Sequence, residues 1–300
     1  MNYEGFVQEV QRGVKEIVEK KLEDGIVVVR NVLKNNNVRM KAISIVRKDE
    51  DATPTIYLQN YYEEYQRGRA IKSICNEIYE IYLRGIDNFK TDVNIQDISD
   101  LEKMKEVIYY KVINYEMNKT LLSKIPHFKF LDLAIVFYIV YDISEQGLES
   151  ICVTEDLCSR WGVSTQELLR MAEENTPRIF ASKVETMEGF LCEYLGCKFN
   201  SSEEEHPDIY VFSNNFGING ASVLVYKNLI HEFAEQLQSN LYVLPSSIHE
   251  LLVIPEFAVS TSLPALSNLV RTINQTHVLE EEILSDRAYY YEREEKRFLM

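Results

Sequence analysis

The stretch Phe130-Leu-Asp-Leu-Ala-Ile-Val-Phe-Tyr-Ile-Val-Tyr141 is the most apolar run in the chain and is rich in β-branched and aromatic residues. Followed by the polar break Ser144-Glu-Gln-Gly147, it predicts a central strand buried on both faces. Such a strand needs cover on each side, so it commits the chain to a layered fold. Its apolar part, Leu131 to Val140, reaches only about half of the roughly 18 residues that a membrane-spanning helix needs, and Asp132 interrupts it.

The segments ahead of this run have legible periods. Phe6, Val7, Val10, Val14, Ile17 and Val18 recur at spacings of three and four, which gives one apolar helix face over residues 3–22. Ile26–Leu33 and Val38–Val46 flank Lys34-Asn-Asn-Asn37 and predict a hairpin, because asparagine tolerates the positive φ of tight turns. Ala52–Leu58 reads as a third strand with Pro54 at its start, and Ile71, Ile74, Cys75, Ile78, Ile81 and Tyr82 as a helix ended by Gly85. Residues 86–104 form an acidic connection whose aspartates miss the spacing of an EF-hand loop, with a helix starting at Ser99-Asp100. A further strand and a short helix then lead to Pro126.

Beyond the central run, Glu149–Val153 predicts a neighbouring strand and Thr154–Trp161 a helix. Ser164-Thr-Gln-Glu167 is a capping box, opening a helix that proline should end at Asn175-Thr-Pro-Arg178. Residues 198–208 read as a charged, protease-sensitive loop, and Ile209–Ser213 as a strand. The turn Asn214–Ser222 should feed one amphipathic helix reaching Gln238. Two short β-rich runs then hinge at Pro245-Ser246-Ser247, and the tail Asp286–Arg293 closes the fold as a strand or helix edge. The expected architecture is α+β: two packed lobes with mixed, largely antiparallel sheets flanked by helices. The lobes divide near residue 118, into 1–118 (helix, hairpin, strand, helix) and 119–300.

Net charge is −15 over 300 residues and is unevenly spread. Residues 1–150 hold 21 Lys/Arg against 24 Asp/Glu, and residues 151–300 hold 11 against 23. An acidic second half repels phosphate, which argues against direct nucleic-acid binding and leaves two uses: docking on a basic protein surface, or solubility. The N-terminus lacks the pattern of a signal peptide, so a cytoplasmic protein without membrane association is expected. Five cysteines (Cys75, Cys152, Cys158, Cys192, Cys197) form no CxxC pair, and reduced buried thiols are expected rather than a metal module.

The motifs also carry a family resemblance. Thr53-Pro-Thr-Ile-Tyr-Leu58, Tyr62–Gly68, Phe130–Tyr138, Glu174-Asn-Thr-Pro-Arg178, Asn219-Gly-Ala-Ser222, Leu244-Pro-Ser-Ser-Ile-His-Glu250 and Leu284-Ser-Asp286 resemble an uncharacterised family of Gram-positive anaerobes, catalogued as a domain of unknown function. The likeness spans nearly the whole chain. The central run through Pro177, and Ile209–Pro255, look more distantly YtpQ-like. The resemblance implies an association with mobile elements and leaves the activity open.

Candidate chemistry concentrates in Leu244–Glu250. Ser246, Ser247, His249 and Glu250 supply a hydroxyl, an imidazole and a carboxylate, but no G-x-S-x-G elbow surrounds either serine. The alternative is a turn with a hydrogen-bonded histidine at a strand start. His231-Glu232 and His249-Glu250 are each half of a zincin motif, yet Glu235 and Val253 stand where the second histidine belongs, so no metal is expected. Gly217 and Gly220 around Asn219 can cradle an anion or simply turn the chain, and Arg178 and Arg287 can bind or bridge elements. The leading expectation is a non-catalytic interaction protein without cofactor. Its binding residues are Glu203, Glu204, Glu205, Glu280, Glu281, Glu282, Asn219 and Arg178, and its partner is a basic, nucleic-acid-handling protein. Joined to the resemblance, this suggests a mobile-element inhibitor of a host defence. The alternative is a hydrolase using Ser247 and His249, with Asn219 and Ser222 nearby.

Overall fold

The computed structural model describes residues 1–48, 53–88, 97–144, 147–195 and 209–300. It has an α+β fold in which every described strand pair is antiparallel. The chain divides into two compact units, Met1–Ile98 and Ser99–Met300.

In the first unit, α1 (Tyr3–Lys21) starts where Asn2 Oδ1 accepts a hydrogen bond from the Gly5 amide at 3.0 Å. Strands β1 (Ile26–Leu33) and β2 (Arg39–Val46) pair along their whole length, and Asn36 and Asn37 turn the chain between them with φ of 59°. The short β3 (Ile56–Tyr57) completes a three-stranded sheet, followed by α2 (Gln59–Gln66) and α3 (Ile71–Asn88). One core joins Phe6, Val10 and Val14 of α1 with Ile43 of β2 and Ile74 and Ile78 of α3. Burying each such side chain stabilises the unit by about 1.5–3 kcal/mol. Helix α3 runs through Gly85 instead of ending there. A single helical glycine costs only about 1 kcal/mol, less than the buried face behind it supplies.

The second unit opens with α4 (Leu101–Met104), capped by Asp100, and β4 (Ile108–Asn114). After α5 (Lys119–Leu122) come β5 (His127–Phe130), β6 (Leu133–Ser144) and β7 (Gly147–Cys152). β6 lies between β4 on one side and β5 and β7 on the other, with Leu133, Ala134, Val136, Phe137 and Ile139 fully buried. The apolar run is therefore a central strand, but it starts at Leu133. Phe130 belongs to β5, and the chain reverses at Leu131, whose φ is 55°. Asp132 secures this turn by accepting from Ser285 Oγ at 2.7 Å and Tyr289 Oη at 2.5 Å, while its carbonyl accepts from the Tyr115 amide. Because β4 pairs with β6 over residues 108–114, these residues belong to the second unit, and the division falls at Ile98/Ser99 rather than near residue 118.

Next come α6 (Glu155–Trp161) and α7 (Thr165–Ile179), the latter opened by the reciprocal Ser164/Glu167 capping box. Proline does not end α7 where expected: the helix continues through Pro177 to Ile179. Its last turn is fastened from the side, since Asn175 Nδ2 donates to the carbonyls of Lys105 (2.7 Å) and Ile108 (2.8 Å). A six-stranded sheet in the order β13-β12-β10-β11-β9-β8 is built from β8 (Ser182–Thr186), β9 (Tyr210–Asn214), β10 (Leu241–Leu244), β11 (Leu251–Pro255), β12 (Tyr289–Glu292) and β13 (Arg297–Leu299). Helix α8 (Met187–Leu195) follows β8, and α10 (Leu263–His277) packs Leu266 and Val270 against Tyr242 and Leu244 of β10. The single helix expected up to Gln238 is two: a 3-10 helix Gly220–Val225 and α9 (Leu229–Leu237), parted at Asn228 with φ 64°.

Candidate functional site

Residues 245–248 are not a free turn between two strands. They lie extended against residues 282–285, with Ile248 N donating to Glu282 O (2.9 Å), Leu284 N to Ser246 O (3.0 Å) and Ser285 N to Pro245 O (3.0 Å). Ser247 is buried, and its Oγ accepts from the His249 backbone amide at 3.0 Å and lies near the Glu250 carboxyl. The His249 imidazole has its Nε2 3.6 Å from Glu282 Oε1, while Nδ1 is buried without a hydrogen-bond partner among the described residues. Burial pushes the Glu250 carboxyl above the usual carboxylate range and nearby Glu282 adds to this, against the pull of Ser247 and His249. The fold thus brings Ser247, His249, Glu250 and Glu282 together in one cluster. Glu282, which sequence reasoning placed in an acidic docking patch, is the carboxylate that meets the histidine.

The glycine turn ahead of the 3-10 helix is packed against this segment. A Cβ on Gly220 would come within 2.1 Å of Ser213 Oγ and 2.3 Å of His249 O, so only glycine lets Ser213 Oγ reach that carbonyl at 2.8 Å. Asn219 sits at φ 52° just before the helix. Ser222 and the Asn175-Thr176 pair act on a sheet edge. Tyr110 N donates to Thr176 Oγ1 (3.0 Å), Val112 N donates to Ser222 Oγ (3.2 Å), and Ile108 O accepts from Asn175 Nδ2. Side chains therefore occupy the outer edge of β4 where another strand would bind. Arg178 bridges elements: its guanidinium donates to Glu106 O at 2.6 Å and to Asn175 Oδ1 at 3.1 Å. Arg287 donates its backbone N–H to Ser285 Oγ.

Glu280 is exposed, whereas Glu281 and Glu282 are half-buried. Glu203, Glu204, Glu205, His206 and Cys197, with the loop expected over 198–208, lie outside the described residues. Cys75, Cys152, Cys158 and Cys192 are free thiols, and burial raises the Cys75 and Cys158 thiols to about 11. Among the described residues no group of three or more His, Cys, Asp or Glu side chains is placed to hold a metal ion.

A second polar assembly escaped the reading of motifs. The registers Tyr109↔Tyr138 and Tyr138↔Cys152 put side chains of β4, β6 and β7 on one sheet face. There Lys111 Nζ sits 4.0 Å from the centre of the Tyr138 ring, and Cys152 stands opposite Tyr138 across the strand pair. Burial lowers the Lys111 amine to about 8 and raises the Cys152 thiol. The available signal was one lysine in the middle of the apolar strand Ile-Tyr-Tyr-Lys-Val-Ile-Asn.

No curated protein and no solved structure matches the chain. A family model described as "Family of unknown function (DUF5688)" matches residues 3–293, and the chain belongs to that family.

Proposed function

We propose that the protein is a non-catalytic binding protein whose second unit docks on a basic surface of a protein partner. The observation behind this reading is the segregation of charge between the two units. Met1–Ile98 carries 15 Lys/Arg against 16 Asp/Glu, whereas Ser99–Met300 carries 17 against 31. Two folded units of one chain need no such difference for solubility alone, and an acidic unit attracts basic surfaces while repelling phosphate. Exposed Glu155 and Asp156 at the start of α6, Glu173 and Glu174 on α7, and Glu280 supply surface carboxylates. In its concrete form the partner is a nucleic-acid-targeting defence protein of the host, and this protein is its inhibitor, carried on a mobile element.

The test is affinity capture from host lysate at about 0.15 M and about 1 M salt, where the screening length shrinks from about 8 Å to about 3 Å. A variant with Glu155, Asp156, Glu173, Glu174 and Glu280 changed to lysine serves as the control. A basic protein retained at low salt, lost at high salt and lost by the variant is the expected result. Equal retention by variant and wild type sinks the reading. Glu282 is left unchanged because its carboxylate faces His249.

One observation favours a second reading, a hydrolase using Ser247 and His249: Glu282 supplies the carboxylate that orients a catalytic imidazole in nucleophilic sites. The bond of Ser247 Oγ to the His249 backbone amide, and not to the imidazole, counts against it. On this reading His249→Ala abolishes turnover of a chromogenic short-chain ester without unfolding the protein. Absence of ester turnover by the wild type removes the reading.

A further inference from the structure

Strand β8 ends the six-stranded sheet and, among the described residues, pairs only with β9. The pairing fixes which of its backbone groups face outward. Asn215 N donates to Ala181 O at 2.9 Å and Met187 N donates to Ile209 O at 2.7 Å, and both bonds continue the β8 to β9 register at its two ends. Bonded and non-bonded pairs alternate along an antiparallel ladder, so Lys183 and Glu185 turn their backbone towards β9, while Ser182, Val184 and Thr186 turn theirs to the outer edge. The outer edge of β4 is closed by the hydroxyls of Thr176 and Ser222. That of β8 is open: Ser182 and Thr186 are exposed, and Val184 is 37 % exposed beside the fully buried Phe212. Such an edge is a template for a further strand.

The order of residues in β8, Ser-Lys-Val-Glu-Thr, is complementary to its own reverse. Two copies laid antiparallel about Val184 match Ser182 with Thr186, Lys183 with Glu185, and Val184 with Val184. This register joins outward-facing backbone groups only to outward-facing ones, which is what a ladder requires. We propose that the protein is a two-fold dimer in which β8 pairs with β8 of a second copy, joining two six-stranded sheets into one. Lys183 and Glu185 lie 2.9 Å apart along their own strand. At the seam each also faces its opposite charge on the other copy, so four charges alternate in sign along and across the strands. On the other sheet face the two Val184 side chains cover each other and extend the apolar surface of Phe212 and Phe233. The occupant is a second copy because the charge order fits itself: the unit as a whole is acidic and repels its like, with 17 Lys/Arg against 31 Asp/Glu, while this edge is neutral. Five residues a side make a small interface, which sets a Kd on the order of 10 µM. The inference is independent of the docking reading, since it uses a strand edge and none of the surface carboxylates named there.

The experiment is sedimentation velocity of the full chain from about 1 µM to about 200 µM, a range that brackets the expected Kd. Wild type should pass from monomer to dimer as concentration rises. Val184→Pro removes the outward amide at the centre of the seam and leaves the bonds to β9 in place, since an edge strand tolerates proline where its N–H faces solvent. It should keep the wild-type Tm and weaken dimerisation by at least about tenfold. Lys183→Glu and Glu185→Lys each set like charges opposite one another, so each variant alone should stay monomeric. Mixed in equal amounts they should form a dimer again, because one edge then carries only carboxylates and the other only ammonium groups. A wild type that remains monomeric over the whole range overturns the proposal. So does a dimer that survives Val184→Pro in a folded protein, or a mixture of the two folded charge variants that stays monomeric. Because wild type is itself measured, a variant that fails to fold does not stop the test.

Discussion

At the scale of single residues, Gly220 and Glu250 are the sharpest constraints. A methyl group on Gly220 meets Ser213 Oγ and the His249 backbone carbonyl, and the carbonyl cannot swing aside as a flexible side chain can. Gly220→Ala should destabilise the fold by about 2–4 kcal/mol, read as a lower urea midpoint, whereas alanine at a freely exposed site changes little. The glycine itself was legible in the sequence; its reason was not, because the atoms that crowd it come from two other segments. Glu250 gives a pH prediction. Its folded pKa is raised above the ordinary 4.5, so the folded state holds the proton more tightly. The stability tied to this group is full below that value and is lost as pH rises through the folded pKa. Glu250→Gln should therefore raise Tm at pH 7 and leave it nearly unchanged at pH 4. A Tm difference independent of pH would show that the carboxyl is not the cause.

At the scale of elements, the edge of β4 is closed by hydroxyl side chains. Thr176→Val keeps the shape of the side chain and removes the acceptor for Tyr110 N, which leaves a buried amide unsatisfied. It should cost about 1–3 kcal/mol with an unchanged m-value, and Ser222→Ala a similar amount through Val112 N. Local chemistry made several elements readable. The Ser164/Glu167 capping box, the asparagine-turned hairpin and the α1 face formed where their residues placed them. Helix α10 was not among the expected elements, although its start is marked locally by the Ser262 cap and Pro264. The end of α7 was misplaced for another reason. Pro177 removes one helical bond, but Asn175 and Thr176 fasten the same turn to β4 and its approach, and a partner tens of residues away leaves no mark in the local pattern.

At the scale of the molecule, the division at Ile98/Ser99 is testable with fragments. Residues 99–300 retain β4 and its pairing with β6; residues 119–300 lose β4 and bare a long apolar strand edge. The first fragment should stay soluble with a cooperative thermal transition, and the second should aggregate, as judged by light scattering. Equal behaviour of the two would mean that β4 is dispensable. The α+β class was readable from alternating helix and strand periods. The order β13-β12-β10-β11-β9-β8 was not, since nothing local states which strand lies beside which.

That order bears on how the chain meets its own timing. The reversal at Leu131 and Asp132 waits for Ser285 and Tyr289, and β10 lacks one neighbour until Tyr291 is in place. On a ribosome the first unit can close its core as soon as it has emerged, while the second holds an unpinned hairpin and an unfinished sheet through more than half of the elongation that follows. The interval between residues 132 and 291 is thus a window of exposure, in which a chaperone, a protease or another nascent copy meets surfaces that the finished protein never shows.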